Sequence, residues 1–481
     1  MRREKILIMT PVGRSPSGEY IDYFPSRWSG STGMFKSTTF YPFNLAYLST
    51  FLKLKTKHTI KFFDANYYGV DSDEYVDYVK KYDPNILIIE IDSIIEKKML
   101  AIIKILKEFN TLLRIIVCGP SPSSNPNIFL DSGASYVAIG EFELSILNLI
   151  KSGFDEKTFG IYPNQREELI DLDMLPFPED EDIKRRNYCR YYASEYNEVE
   201  VFSTRGCPHM CNFCVVANVY GGKPSFRVRK VSSVIEEIKY LKSSIPDLEG
   251  IFFNEESHTS NKSFIRELCL EIIRLGLTDI KYNCMTNYDT LDLDLLNLMK
   301  KAGYYKVRIG IESLDSDVSA LITKTKIKSN HEKLMDILKI AKELDIKIYV
   351  TMSIGAVGSS KEKDLDSLKQ LELLYDNDYI QEFQVSINTP MPGTPFYSIA
   401  KENKWIVESG KFDGAKFSTI SYENYRADDI KEVFDIANEL RAKILNKNRE
   451  EKKIRYSSYD KDWCEPVYKL TQRKIGEYYH E

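Results

Sequence analysis

From Lys5 to about residue 150, short apolar runs alternate with segments whose apolar residues recur every three or four positions. That alternation is the pattern of a parallel α/β sheet. Strands are predicted at Lys5–Met9, Thr59–Phe63, Asn85–Ile91, Arg114–Cys118 and Ser135–Ile139. Helices are predicted over Phe43–Lys53, Asp73–Tyr82, Ile95–Phe109 and Glu141–Lys151. Five strands with interleaved helices predict a Rossmann-like domain over residues 1–151. The period fades between 152 and 198, where the prolines of Asp171-Leu172-Asp173-Met174-Leu175-Pro176-Phe177-Pro178 and the acidic run 179–182 break any continuous element. A linker and a domain boundary are expected there.

A second α/β series follows over residues 199–398. Its strands are predicted at Val199–Thr204, Glu249–Asn254, Ile280–Met285, Lys306–Ile311, Lys347–Ile354 and Glu382–Ile387. Helices are predicted over Ser232–Lys242, Asn261–Leu275, Leu291–Lys301, His331–Leu344 and Lys361–Tyr375. In parallel sheets of this kind, ligands sit at the carboxyl ends of the strands. The extension over 399–481 is expected to be mainly helical, with Ile430, Val433, Phe434, Ala437, Leu440 and Ile444 on one stripe that packs on the preceding sheet. Beyond it, a charge-rich segment and an aromatic end at Tyr456, Tyr459, Trp463, Tyr468, Tyr478 and Tyr479 read as a solvated helix end with packing aromatics, or as a lid over substrate.

At 481 residues with 43% apolar composition, the chain can bury the cores of two or three domains. The net charge of −5 gives no global attraction to nucleic acid. No apolar run approaches the roughly 18 residues of a membrane span. The short run after Met1-Arg2-Arg3 ends at Thr10-Pro11 and reads as a strand, not a signal peptide. A cytoplasmic, reducing location is expected, which suits unpaired cysteines.

The chemistry concentrates in Cys207-Pro208-His209-Met210-Cys211-Asn212-Phe213-Cys214, just after the first strand of the second series. Of eight cysteines in the chain, three fall in these eight positions. Three thiolates so spaced can ligate three corners of a 4Fe-4S cluster and leave one iron open. A zinc site completed by His209 is the alternative, although no second cysteine pair follows; three unrelated cysteines is the other.

At these residues the chain resembles the radical S-adenosylmethionine (SAM) superfamily, whose motif is CxxxCxΦC with an aromatic at Φ, here Phe213. The resemblance implies a partial (β/α)6 radical SAM barrel, cluster ligation by Cys207, Cys211 and Cys214, and SAM chelated at the open iron. One electron then cleaves SAM to a 5'-deoxyadenosyl radical. Further segments fit in order. Phe253-Asn254-Glu255-Glu256-Ser257-His258-Thr259 is similar to F-x-D-D-x-F-T, so Glu255 and Glu256 would face the SAM ammonium group. Arg308-Ile309-Gly310-Ile311-Glu312-Ser313 is similar to R-x-G-x-E-S, so Arg308 and Glu312 would face the interior near SAM. The strand end at Gly355 would approach adenine through its backbone, and Asn388 to Pro395 is similar to the turn after the sixth strand. His258 is read as a solvent-side or packing residue.

The N-terminal domain resembles the cobalamin-binding domain that precedes the barrel in one radical SAM subgroup. The resemblance runs through Pro42 to Leu48, Phe63 to Gly69, Cys118-Gly119-Pro120 and Gly140-Glu141-Phe142-Glu143. It implies cobalamin contacts from Asp64, Asn66, Gly69, Ser93, Gly119 and Pro120. Two departures stand out. Where such domains carry D-x-H-x-x-G, this chain has Asn66, a poor cobalt ligand. Glu90 stands in an apolar strand where relatives often have a small residue, and it either crowds a corrin nucleotide tail or reaches solvent.

The expected activity is hydrogen abstraction from an unactivated C–H bond, with cobalamin-dependent methyl transfer as the outcome. Cobalamin-independent cyclisation, rearrangement or epimerisation is the alternative, as is a non-catalytic iron-sulfur sensor. The substrate is an unnamed small molecule or peptide, and a flavodoxin or ferredoxin is the expected electron donor. No catalytic acid or base is named. Methylthiotransferases are set aside, because the N-terminal region offers only Cys118 and Cys189. Cys269 and Cys284 read as core residues and Cys464 as a packing residue or a hydrogen donor at the barrel mouth.

Overall fold

Strands that are apolar on both faces must be covered on both. The computed structural model, which describes residues 3–14, 18, 20–22, 31–33, 40–188, 194–221, 225–323, 331–407, 418–452 and 454, shows what covers them. Strands β1 (Lys5–Met9), β2 (Thr59–Phe63), β3 (Ile86–Glu90), β4 (Arg114–Cys118) and β5 (Tyr136–Val137) form one parallel sheet in the order β2-β1-β3-β4-β5. Ile6, Ile8, Ile88 and Ile116 pack with α1 (Phe43–Lys55) and α4 (Glu143–Lys151). Leu7, Met9, Leu87, Ile89, Ile115 and Val117 face the other way, toward α2 (Ser72–Tyr82) and α3 (Glu96–Phe109). Each fully buried side chain of this kind contributes roughly 1.5–3 kcal/mol. Helix α2 starts at a capping box, in which Asp71 accepts from the Glu74 backbone and Glu74 accepts from that of Asp71. The predicted strand at Ser135–Ile139 pairs only at Tyr136–Val137, because Ala138 turns to bridge Ile161.

The second sheet runs strictly in chain order and is parallel throughout: β6 (Glu198–Val201), β7 (Gly250–Phe253), β8 (Lys281–Asn287), β9 (Tyr304–Glu312), β10 (Lys347–Ile354) and β11 (Glu382–Ile387). The crossovers carry α5 (Val231–Ser244), α6 (Lys262–Arg274), α7 (Leu293–Ala302), α8 (His331–Glu343) and α9 (Lys361–Asp376). Outward residues such as Val201, Phe253, Cys284, Ile309, Val350 and Val385 make one core with these helices, and the last helix, α10 (Ala427–Glu450), adds Ile430, Val433, Phe434, Ala437 and Ile444 to it. β6 and β11 stay unpaired to each other, so the sheet is a half-barrel.

The segment between the sheets is not a free tether. Glu179 is buried, accepts from Ser49 Oγ at 2.6 Å and pairs with Lys53 at 2.7 Å, while Arg185 is only 1% exposed. One- or two-turn helices at Pro120–Ser124, Val216–Val219, Ser316–Thr323 and Pro395–Glu402 are too short to leave a periodic signal in the sequence. Cys189, Cys464 and the aromatic end lie outside the described residues.

Candidate functional site

The cysteine segment begins as a strand, Thr204–Cys207, paired antiparallel with Ser225–Val228. Gly206 lies at φ +90°, and a Cβ there would sit 2.3 Å from the Ser225 carbonyl oxygen, so only glycine lets the two backbones close. The Cys214 N–H then donates to the Cys211 carbonyl at 3.2 Å. Asn212 is held on both sides: its N–H donates to the Ile322 carbonyl at 2.8 Å, and its carbonyl accepts from the Phe396 N–H at 2.9 Å. Phe213 packs among Val318, Ile322 and Ala356 and also against Phe396, Ala400 and Ile420.

All three thiols are partly exposed. Burial pushes the Cys207 thiol up to about 12 and that of Cys211 further above its ordinary range, and each is raised further by its cysteine neighbours. Thiols in such a setting ionise when a metal takes them. Among the described residues, no three His, Cys, Asp or Glu side chains converge on a point where a single metal ion would sit.

Cys211 forms one wall of an open cleft, together with His209, Asn287, Asp289, Gly310 and Glu312. Glu312 adopts φ +63° at a register shift between β9 and β10. Its carboxylate folds back over Gly310, where a Cβ would lie 2.8 Å from Oε1, and Oε2 accepts from Ser353 Oγ at 3.2 Å. Burial pushes this carboxyl up to about 7. A strained backbone at a cleft wall is a frequent mark of function.

The other residues expected near SAM are distributed unevenly. Arg308 lies deeper in the barrel, its guanidinium 4.4 Å from the Phe252 ring and 5.0 Å from that of Tyr349, with Nε donating to Asn283 at 3.4 Å. Glu255 is buried and accepts from the N–H groups of Ser203 and Thr204 at 2.6 and 2.7 Å and from Ser203 Oγ at 2.7 Å. It therefore fastens the backbone that leads into the cysteines. Glu256 is partly exposed and accepts from the Gly206 N–H at 3.1 Å. His258 is a packing residue, not a solvent-side one: it is buried on Phe253, touches Glu255 and meets the Tyr304 hydroxyl at 2.8 Å. At Gly355 both backbone groups are engaged, the N–H with Asp364 at 2.8 Å and the carbonyl with the Tyr422 hydroxyl at 3.0 Å.

The residues expected around cobalamin gather at the carboxyl edge of the first sheet. Asp64 accepts from Thr10 Oγ1 at 2.6 Å and from the Tyr188 hydroxyl at 2.5 Å. Asn66 Nδ2 donates to the Ile21 carbonyl at 2.9 Å and the Val12 carbonyl at 3.4 Å. The Gly69 carbonyl accepts from Arg14 Nε at 2.9 Å. Ser93 and Pro120 are buried. Glu90 does not reach solvent. It is fully buried, accepts from Asn44 Nδ2 at 3.3 Å, and places its Cγ 2.8 Å from where a Cβ on Gly119 would stand.

The same edge carries a cluster whose pairing the sequence did not reveal. Arg205 Nη1 donates to Glu141 Oε1 at 2.7 Å and lies 2.8 Å from Glu143 Oε1, off-axis for a hydrogen bond. Arg227 donates to both oxygens of Glu141, at 3.0 and 2.9 Å. Burial opposes charge at Glu141, but the two guanidiniums outweigh it and hold the carboxyl below its ordinary range. The sequence marked the two sides separately, Glu141 and Glu143 in the segment Gly140-Glu141-Phe142-Glu143 and Arg205 two residues before Cys207, but not their pairing.

Residues 201–371 match the family model of the radical SAM superfamily. An uncharacterized methyltransferase of Pyrococcus horikoshii is 25% identical over 85% of this chain and 87% of its own length. An anaerobic magnesium-protoporphyrin IX monomethyl ester cyclase of Synechocystis is 26% identical over 75% of this chain and 73% of its own. The solved structure of the radical SAM methyltransferase TsrM from Kitasatospora setae, with cobalamin and a 4Fe-4S cluster bound, shares the fold with a TM-score of 0.64 at 15% identity, covering 85% of this chain and 79% of that one.

Proposed function

Residues 201–371 are a radical SAM domain, and from that premise we propose that this enzyme holds a 4Fe-4S cluster on Cys207, Cys211 and Cys214, binds SAM in the adjoining cleft, and acts on an unactivated C–H bond of a substrate in the half-barrel. The observation that carries this reading is that Cys211 and Glu312 line one cleft. When bound, the cluster supplies the electron that cleaves SAM to the hydrogen-abstracting radical. Phe213, wedged between two apolar clusters, fixes the loop that presents the cysteines. Glu312 offers a carboxylate to hydrogen-bond donors of SAM, pre-set by its backbone conformation and by Ser353. On the inner face of β11, Gln384 and Ser386 are exposed, so the open side of the half-barrel gives a substrate a polar way in. A flavodoxin or ferredoxin would deliver the electron.

The Pyrococcus methyltransferase supports methyl transfer as the outcome. The cyclase relative, matched over a similar span, supports ring closure as a second reading. Anaerobically reconstituted protein given SAM and dithionite is expected to release 5'-deoxyadenosine, and the Cys207→Ala/Cys211→Ala/Cys214→Ala protein none. A fully clustered wild type that releases no 5'-deoxyadenosine would replace this reading with an iron-sulfur sensor. Glu312→Gln should keep the cluster and weaken SAM binding by about ten- to hundredfold, the loss of a charge-assisted hydrogen bond worth roughly 1.5–3 kcal/mol.

A further inference from the structure

In open parallel sheets, ligands bind outside the carboxyl edge. In the N-terminal sheet of this chain, the loops behind β2, β4 and β5 are committed to protein contacts at that edge. Behind β4, Gly119 has φ +102° and faces Glu90, whose Cγ and the Ile91 carbonyl would lie 2.8 and 3.0 Å from an added Cβ. The side of Gly119 that a Cβ would enter is therefore filled by Glu90 and the Ile91 backbone, which leaves no room for a ligand group there. Behind β2, the Asn66 amide is turned onto the Val12 and Ile21 carbonyls, so the position from which a histidine would reach cobalt fastens a neighbouring loop. Behind β5, Glu141 and Glu143 close on Arg205, and Glu141 also takes Arg227, the pair that brackets the cysteine hairpin. Close by, Ser124 Oγ shares its proton between the carbonyls of Pro120 at 2.8 Å and Pro392 at 3.0 Å and accepts from Asn218 Nδ2 at 2.9 Å, which ties this edge to the barrel mouth.

We infer that this edge is a clamp on the cysteine hairpin and not a cobalamin seat: the enzyme works without cobalamin, which sets aside cobalamin-dependent methyl transfer in favour of the ring-closure reading, and Glu141 and Glu143 are positioning residues for the cluster. The clamp part rests on the cluster reading above; the cobalamin part stands on Gly119, Glu90 and Asn66 alone. Glu141 pairs with both guanidiniums and Glu143 stands against Arg205, so neutralising the two carboxylates leaves Arg205 and Arg227 uncompensated beside the hairpin, and positive charge there favours the electron-richer state of the cluster.

The test uses the full chain, reconstituted without oxygen, mixed with excess hydroxocobalamin and desalted. Iron retained with no corrin absorbance is the expected result. Iron retained with one corrin per chain would overturn the inference and leave the cluster reading standing, whereas a chain that takes up no iron would overturn the cluster reading itself. The second measurement is the cluster midpoint potential and the rate of iron loss to a chelator. Glu141→Gln/Glu143→Gln should raise the potential and shed iron severalfold faster than wild type, while Glu167→Gln, a partly exposed carboxylate of the following segment that accepts from Asn148, should change neither. Glu141→Gln alone leaves Glu143 beside Arg205; it is the milder variant should the double one fail to fold, and should shift both readouts the same way by less. Unchanged potential and iron loss in a folded variant would overturn the clamp.

Discussion

At the scale of single residues, the site depends on places where only one side chain is tolerated. Gly206 is the sharpest case. Its φ of +90° costs an L-residue roughly 1–2 kcal/mol, and its missing Cβ leaves room for the Ser225 carbonyl. Gly206→Ala is therefore expected to open the hairpin and lower iron loading per chain in proportion, read by iron analysis and the visible cluster band; full loading would show that the hairpin can shift to accommodate a methyl group. Glu255 and His258 teach the complementary lesson. A motif resemblance pointed the first toward SAM, yet its carboxylate is fully engaged by Ser203, Thr204 and His258, so its effect on a ligand passes through the backbone it holds.

At the scale of elements, the cysteine strand is braced from below by a buried ion triad. Glu237 of α5 accepts from Arg185 Nη1 at 2.6 Å and from Arg229, which follows the partner strand of the cysteine hairpin. Burial works against its charge, but Arg229 and Arg185 outweigh that and hold the carboxyl below its ordinary 4.5. A folded-state value below the unfolded one gives stability that is present above about 4.5 and is lost as pH falls through the lower, folded value. Removing the charge leaves two buried guanidiniums uncompensated, so Glu237→Gln should destabilise the protein by roughly 3–5 kcal/mol. Urea unfolding in neutral and acidic buffer checks both points: wild type should weaken on acidification, and the variant should be weak already at neutral pH, with a flatter pH dependence.

At the scale of the whole molecule, the two sheets are bound together by buried polar contacts. Tyr188 to Asp64, Arg185 to Glu237, Tyr41 to Glu179 and Arg205 to Glu141 each draw on the segment between the sheets or cross from one sheet to the other. Breaking any of them strands a buried charge or hydroxyl, so neither half is expected to unfold while the other stays native. Heating followed by far-UV circular dichroism and by intrinsic fluorescence should give coincident transitions; two separated ones would show the halves to be independent.

The strands and long helices of both sheets were legible in the chain because their signal is local: a period of two or 3.6 residues needs only its own neighbours. β1, β2, β4, β10 and β11 fall at their predicted residues, and the three cysteines declare themselves by spacing alone. What the sequence could not carry is which distant partner each polar side chain meets. Glu255 and Ser203 are 52 positions apart, Arg205 and Glu141 64, Asn66 and Ile21 45. In each case burial removes water as the alternative partner, and sheet register then chooses among the remaining protein groups. Glu90 shows the same division: its place in an apolar strand is written in the sequence, while its seat against Gly119 exists only because parallel pairing sets Glu90 opposite Cys118. The periods of the chain determined two successive parallel α/β series, and cysteine spacing marked the loop after the first strand of the second. The tertiary structure alone decided that the carboxyl edge of the first sheet closes on that loop.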